Sequence, residues 1–187
     1  MIDYLLTRSE VDAENIAVAG HSRLGKTALL CAAQDERVKF VFVNDSGCGG
    51  AALEQTKHEG GETIAVMAQN FPYWFCENRS KYAESTEKIP FDQHFLIAAA
   101  APRYVAIGSA SLDSWADPYS EQLGGAAASP AWEICGKKGL VAPEAPAPVG
   151  AAYQDGCISY HLRDGIHFFG RGDWLQYMAF MEKHMDA

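Results

Sequence analysis

Apolar positions along this chain follow two periods. Residues 15–20 (NIAVAG), 38–44 (VKFVFVN), 103–110 (RYVAIGSA) and 157–162 (CISYHL) are short β-like runs, the first three nearly unbroken in apolar side chains. Strands of a parallel sheet that is covered on both faces read in this way. Between them the pattern turns helical. RLGKTALLCAAQ (23–34) is rich in Ala and Leu, and FDQHFLIAAAA (91–101) stops before Pro102. GDWLQYMAFMEKHM (172–185) predicts a last helix with Trp174, Met178 and Met181 on one face and Asp173 as its N-cap. Strands alternating with helices predict an α/β architecture with right-handed crossovers.

Two regions break the pattern. Residues 47–90 mix Gly, polar and aromatic residues and predict a long excursion; residues 124–150 also read as irregular, carrying GGAAASPAW and APEAPAPVG, and their Pro/Ala-rich part predicts an extended surface loop. Neither reads as a linker, so residues 1–187 are expected to form one domain. The chain opens on Ile2, Leu5 and Leu6, which share a helical face, and a strand follows almost at once. That start reads as the tail of a helix cut from a longer fold, which would leave strand 15–20 as a bare sheet edge.

Composition narrows the classes. With 48% apolar and 21% charged residues among 187, the chain reads as globular, and its formal charge of −9 argues against a nucleic-acid surface. No apolar run approaches the roughly 20 residues that span a bilayer, and MIDYLLTRSE lacks the basic start and apolar stretch of a signal peptide. The five cysteines (Cys31, Cys48, Cys76, Cys135, Cys157) form no CxxC pair and no zinc signature; most read as small buried apolar side chains.

Residues 20–27, GHSRLGKT, fit two chemistries. As Gly-x-x-x-x-Gly-Lys-Thr, with Gly20, Gly25, Lys26 and Thr27, they match a phosphate-cradling loop, and Asp45 after the next strand could serve magnesium. As Gly-x-Ser between a strand and a helix, they place Ser22 on a nucleophile elbow, although Leu24 stands where a second glycine is usual. A serine needs an imidazole and an acid to orient it. Asp113 follows the third strand with Asp117 close behind, and His167 lies between the last strand and the last helix. The order Ser22, Asp113, His167 is that of the α/β-hydrolase fold, and the phosphate-loop reading explains none of it.

The segments GHSRLGKTAL (20–29), NDSGCGGAAL (44–53), GGET (60–63), FPYWFCENRSKY (71–82), FDQHFLIAAAAPR (91–103), SASLDSWADPYSE (109–121) and YHLRDGIHFFGRGDW (160–174) resemble, in order, carbohydrate esterase family 15, the glucuronoyl esterases, especially their bacterial branch. The resemblance implies the C-terminal half of an α/β-hydrolase fold, a mostly parallel sheet flanked by helices with the N-terminal strands missing. It implies Ser22 as nucleophile, His167 as general base and Arg23 as the oxyanion-stabilising arginine. Lys26, Trp115 and Glu62 match sugar-binding positions. The family's acidic contact ahead of "WF" has no counterpart here, where Asn70 and Phe71 stand. The triad acid stays open between Asp113 and Asp45, since members of the family use either position. No metal or cofactor is implied. The implied substrate is a carbohydrate ester, as in lignin–glucuronoxylan linkages, with no nucleic-acid or membrane partner, and the implied location is secreted or periplasmic. An acetyl xylan esterase on the same fold is the alternative enzyme; a nucleotide-binding protein is the alternative of another class.

Other candidates have plainer readings. His94, His161 and His21 are expected to be structural, with His21 turned away from the catalytic face. Asp117 reads as a cap, and Tyr73, Trp74 and Phe75 read as a packing cluster.

Overall fold

The computed structural model describes residues 1–185. In chain order the elements are α1 (Ile2–Leu5), β1 (Ala17–His21), α2 (Arg23–Gln34), β2 (Phe40–Asn44), α3 (Ile64–Asn70), α4 (Glu77–Ser80), α5 (His94–Ala98), β3 (Tyr104–Ala110), α6 (Pro118–Ala128), α7 (Pro130–Ile134), β4 (Ala152–Tyr153), β5 (Ile158–Arg163) and α8 (Arg171–His184). The sheet runs β1-β2-β3-β5-β4. Its first four strands are parallel, and the two-residue β4 pairs antiparallel to β5. Every residue of β2 and β3 is buried, as their unbroken apolar sequence requires. β1 pairs only with β2 among the described residues, and Ala17 and Ala19 lie exposed on it.

Helices cover both faces. Gly25, Ala28, Leu29 and Ala32 form the buried stripe of α2, which packs on β1 and β2. α5 bridges α2 to α6, and α6 lies on β3 and β5. On the other face α8 sets Tyr177 against Phe42 with ring centroids 4.9 Å apart, and Phe180 edge-on to Tyr104. Arg103 ties layers together by donating to the carbonyl oxygens of Ala32 (2.7 Å) and Val38 (2.9 Å), where α2 ends and β2 is about to begin.

Four expectations change. The helix expected over 91–101 is confined to His94–Ala98, because Asp92 is drawn to the backbone N–H groups of Glu54 and Gln55, and turns lead into Pro102. The region 124–150, read as irregular, starts as helix, while its Pro/Ala-rich stretch 142–150 is the extended loop expected. Asp117 caps α6 by accepting from Ser120 N–H, Pro118 occupies the first turn, and Gly124 lets the helix touch the chain at Ala51, whose carbonyl oxygen a Cβ would meet at 2.0 Å or less (1.9 Å). The N-cap of α8 is Gly170; Asp173 sits in the first turn and accepts from Gly170 N–H at 2.9 Å. The buried face of α8 is Asp173, Tyr177 and Phe180, while Trp174 and Met178 are exposed.

Residues 47–90 form the expected excursion, which holds α3, α4 and a small core of its own around Cys48, Ile64 and Met67. All five cysteines are free; Cys48 and Cys157 are buried as expected, but Cys76 and Cys135 are exposed. No described helix is long and apolar enough to cross a membrane.

Candidate active site

Because β1, β2, β3 and β5 are neighbours in parallel, their carboxyl ends stand side by side, where open α/β sheets place their ligands. Ser22 follows β1, Asp45 follows β2, Asp113 lies beyond β3 and His167 beyond β5. One cleft of about 420 Å³ is lined by all four, together with Arg23, Lys26, Glu62 and Trp115. Every site residue expected from the sequence is therefore brought to the same opening.

The elbow is visible in the backbone. Ser22 has φ 58° and ψ −128°, a conformation that costs a non-glycine residue about 1–3 kcal/mol. Its N–H donates to Asn44 carbonyl at 2.8 Å, and its own carbonyl accepts from Gly25 N–H at 2.9 Å, so strand, turn and helix are locked together. A Cβ at residue 20 would fall 2.0 Å from Leu24 carbonyl oxygen, which is why Gly20 is needed there. α2 begins at Arg23, directly after Ser22, leaving no open loop to wrap a phosphate. Thr27 Oγ1 bonds Arg23 carbonyl, and Lys26 is held by Ser46 carbonyl and Glu62. These commitments overturn the nucleotide-binding reading. Arg23 instead heads a helix whose first N–H groups lack intrahelical acceptors and whose dipole favours negative charge. Its guanidinium carbon lies 5.7 Å from the Trp74 ring centroid.

His167 Nδ1 donates to Asp113 Oδ2 at 2.6 Å, which leaves Nε2 for the serine side. The bond to Asp113 raises the pKa of His167, outweighing the burial that would lower it. Asp113 thus occupies the orienting position. Asp45 is close as well: Asp45, Asp113 and His167 each offer a ligand-type atom within 4.8 Å of the others, the only such group among the described residues. It could hold a cation, yet the Asp113 oxygen is already bound to the imidazole. Asp45 is fully buried with φ 42°; one of its oxygens accepts from Arg163 at 3.1 Å and the other has no partner. Burial, reinforced by the charge of Glu121, pushes its carboxyl up to about 8 despite Arg163. The two acids beside His167 are therefore unlike: one is hydrogen-bonded to the imidazole, the other is buried and holds its proton to near pH 8.

The opposite wall carries the expected sugar-binding residues. Glu62 Oε2 pairs with Lys26 at 3.3 Å, its Oε1 accepts from Trp115 Nε1, and its N–H donates to Trp115 carbonyl at 2.8 Å. Trp115 remains 43% exposed, enough face for a sugar ring to stack on. Phe71 and Trp74 stack at 4.0 Å and also line the cleft, so Trp74 is cleft wall, whereas Tyr73 is almost wholly exposed and packs no cluster.

Some neighbours escape a sequence reading. The His21 ring lies 4.4 Å from the His167 ring and, contrary to expectation, is not turned away from it. Its Nδ1 donates to Asn44 Oδ1 at 2.8 Å, and burial lowers its pKa, which favours the neutral ring. Glu121 is fully buried on α6 and accepts from Ser46 N–H, Ser46 Oγ, Gly47 N–H and Ser109 Oγ, fixing the turn after β2. Its one signal in the sequence is a lone acid on a helix of small residues. Asp117 caps α6 and binds His58, His161 donates to Asp173, and the His94 ring packs on Phe95, which are structural roles.

The contrast between the two acids is measurable. Asp113→Asn removes the raising influence, so the His167 titration midpoint, followed by NMR of the ring nitrogens, is expected to move down. Asp45→Asn is expected to move it far less, since Asp45 is largely uncharged below about pH 8. An equal or larger shift in Asp45→Asn contradicts this assignment.

The model of a family described as glucuronyl esterase, fungi, matches residues 1–136. A carbohydrate esterase from an unknown prokaryotic organism is 42% identical over 184 residues, 98% of this chain and 42% of the relative. Among solved structures, a promiscuous family 15 esterase from a marine bacterial metagenome superposes with a TM-score of 0.93 at 41% identity, covering 98% of this chain and 45% of that one. A glucuronoyl esterase from Solibacter usitatus gives 0.89 at 40% identity, covering 97% and 45%. The chain spans less than half the length of these relatives. Sheet order, elbow and the match over nearly every described residue agree: the chain belongs to carbohydrate esterase family 15, the glucuronoyl esterases, and has their α/β-hydrolase architecture.

Proposed function

We propose that the whole protein hydrolyses esters between glucuronic or 4-O-methylglucuronic acid and an alcohol, with Ser22 as nucleophile. The observation that carries this reading is the shared cleft, in which an elbow serine and a His167–Asp113 pair face the Lys26–Glu62–Trp115 wall. Ser22 Oγ attacks the ester carbonyl while His167 Nε2 takes its proton. The helix-start N–H groups and the Arg23 guanidinium stabilise the charge on the carbonyl oxygen. His167 returns the proton to the leaving alcohol, and water hydrolyses the acyl-enzyme by the same steps in reverse. Lys26 and Glu62 supply a donor and an acceptor for sugar hydroxyls. We infer further that the alcohol belongs to lignin and the acid to glucuronoxylan of plant cell walls, and that the whole protein is secreted or periplasmic.

This reading is tested by Ser22→Ala. Turnover of a glucuronoyl ester is expected to fall by at least about 10³-fold; retained turnover sinks the mechanism. Hydrolysis of acetylated sugar with no turnover of glucuronoyl ester points instead to a deacetylase.

We also propose that activity needs the open edge of β1 to be covered by further polypeptide. The outer edge of β1, unpaired among the described residues, and the exposed Leu24 and Leu30 of α2 support this. The 187-residue chain alone is expected to be poorly soluble or inactive, and a soluble, active monomer contradicts that expectation.

A further inference from the structure

Arg163 is the last residue of β5 and lies between two buried carboxyl groups, those of Asp45 and Asp173. Its Nε donates to both oxygens of Asp173, each at 3.0 Å. Its Nη2 donates to Asp45 Oδ2 at 3.1 Å, to Ile166 carbonyl at 3.1 Å and to Phe168 carbonyl. Its Nη1 reaches Asp164 carbonyl at 3.3 Å. Ile166 and Phe168 are the residues on either side of His167. One planar guanidinium therefore grips the backbone before and after the imidazole-bearing residue, and is itself held from behind by Asp173.

We infer that Arg163 is a positioning residue for His167, a clamp that fixes the loop 164–168 so that the imidazole is presented to Ser22. The inference rests on the esterase reading for its kinetic consequence, but not for its geometry.

The support behind the clamp is continuous. Asp173 accepts from Asn44 Nδ2 at 3.0 Å, from His161 Nε2 at 3.1 Å and from Gly170 N–H at 2.9 Å as well as from Arg163. Burial opposes its charge, but these bonds and the Arg163 charge outweigh it and hold its carboxyl below the usual range. Asn44 in turn receives the His21 N–H, and His21 packs on the His167 ring. The loop is otherwise lightly fastened. Ser111 Oγ donates to Asp164, and Gly165 carbonyl accepts from Leu112 N–H, both on the Asp113 side. Ile166, His167 and Phe168 are all exposed, so packing does little to hold them. Without the guanidinium, the backbone of the segment keeps hydrogen bonds only at its start, and the imidazole is left to its own contacts with Asp113 and His21.

A plainer role is neutralisation of the buried Asp173 carboxylate. Lysine separates the two. It restores one positive charge, but an ammonium on a single stem cannot span two carboxyl groups and two carbonyls as a planar fork does. The clamp therefore predicts that Arg163→Lys fails to restore function, and neutralisation predicts that it succeeds.

The test uses the whole protein and compares wild type with Arg163→Lys and Arg163→Gln. Values of kcat and KM are measured on a glucuronoyl ester, and the downfield proton signal of the His167 Nδ1–H···Asp113 bond is followed by NMR. With the fold retained by circular dichroism, Arg163→Lys is expected to lose about 100-fold in kcat, the scale of a misplaced catalytic group. KM is expected to stay within about 3-fold, because Lys26, Glu62 and Trp115 are untouched, and the downfield signal to broaden or vanish. A kcat within about 3-fold of wild type, or a retained downfield signal in Arg163→Lys, overturns the inference. If wild type does not turn over the ester, the esterase reading fails, and the proton signal alone decides for or against the clamp. If both variants unfold, the wild-type Arg163 guanidinium decides. Slowly exchanging protons with nuclear Overhauser contacts to Ile166 and Phe168 support the clamp, and a freely rotating guanidinium overturns it.

Discussion

The chemistry proposed for this protein depends on a backbone conformation at one residue. Ser22 must take a positive φ for its side chain to project from the end of β1 before α2 begins. Nothing about serine favours that conformation. It is imposed by the close approach of Gly20 to Leu24 carbonyl and by the bonds from Asn44 and Gly25 on either side. The strain is held by the regular structure around it, since β1, β2 and α2 meet at that turn. Asp45, at the end of the neighbouring strand, also has positive φ. The two strand ends nearest the cleft are thus the strained ones, and the buried carboxylate of Glu121 fixes the second by collecting donors from Ser46 and Gly47.

Around this frame, chemistry is divided by environment. Asp113 and Asp45 are the same residue type, and both lie within reach of His167. Asp113 is bonded to Nδ1 and raises the basicity of the imidazole. Asp45 is sealed under the site, where burial favours its neutral form. Two ionised carboxylates at this spacing would repel, so keeping one protonated lets the other serve the base without that cost. The sugar recognition proposed here falls to another part of the cleft, where Glu62 links Lys26 to Trp115 and leaves the tryptophan face open.

β2 and β3 were legible because burial on both faces leaves an unbroken apolar run; the boundaries of β1, β2, β3 and β5 lie within two residues of those expected, while the two-residue β4 was not foreseen. Ser22, Asp113 and His167 were legible from their order relative to those strands. The helices were less so. α5 is short because Asp92 serves another loop, and α6 extends into a Gly/Ala stretch whose small residues are there for close packing. On α8 the buried face includes an aspartate, which no apolar periodicity could reveal. His21 and Arg163 meet partners at the ends of β2 and β5 and, for Arg163, in the first turn of α8, and an arginine that closes a strand looks ordinary until those partners converge. Motif overlap was the other trap. Gly25, Lys26 and Thr27 match a phosphate loop letter by letter, and only the start of α2 at Arg23 shows that their groups are spent on other bonds.

The central claim is that Ser22 is an activated nucleophile. Incubation of the whole protein with a fluorophosphonate, followed by mass spectrometry of the intact protein and its peptides, tests that most directly. The account predicts one adduct, on Ser22, whose formation is strongly slowed in His167→Ala. No adduct, an adduct on another residue, or labelling of Ser22 that is indifferent to His167 contradicts it.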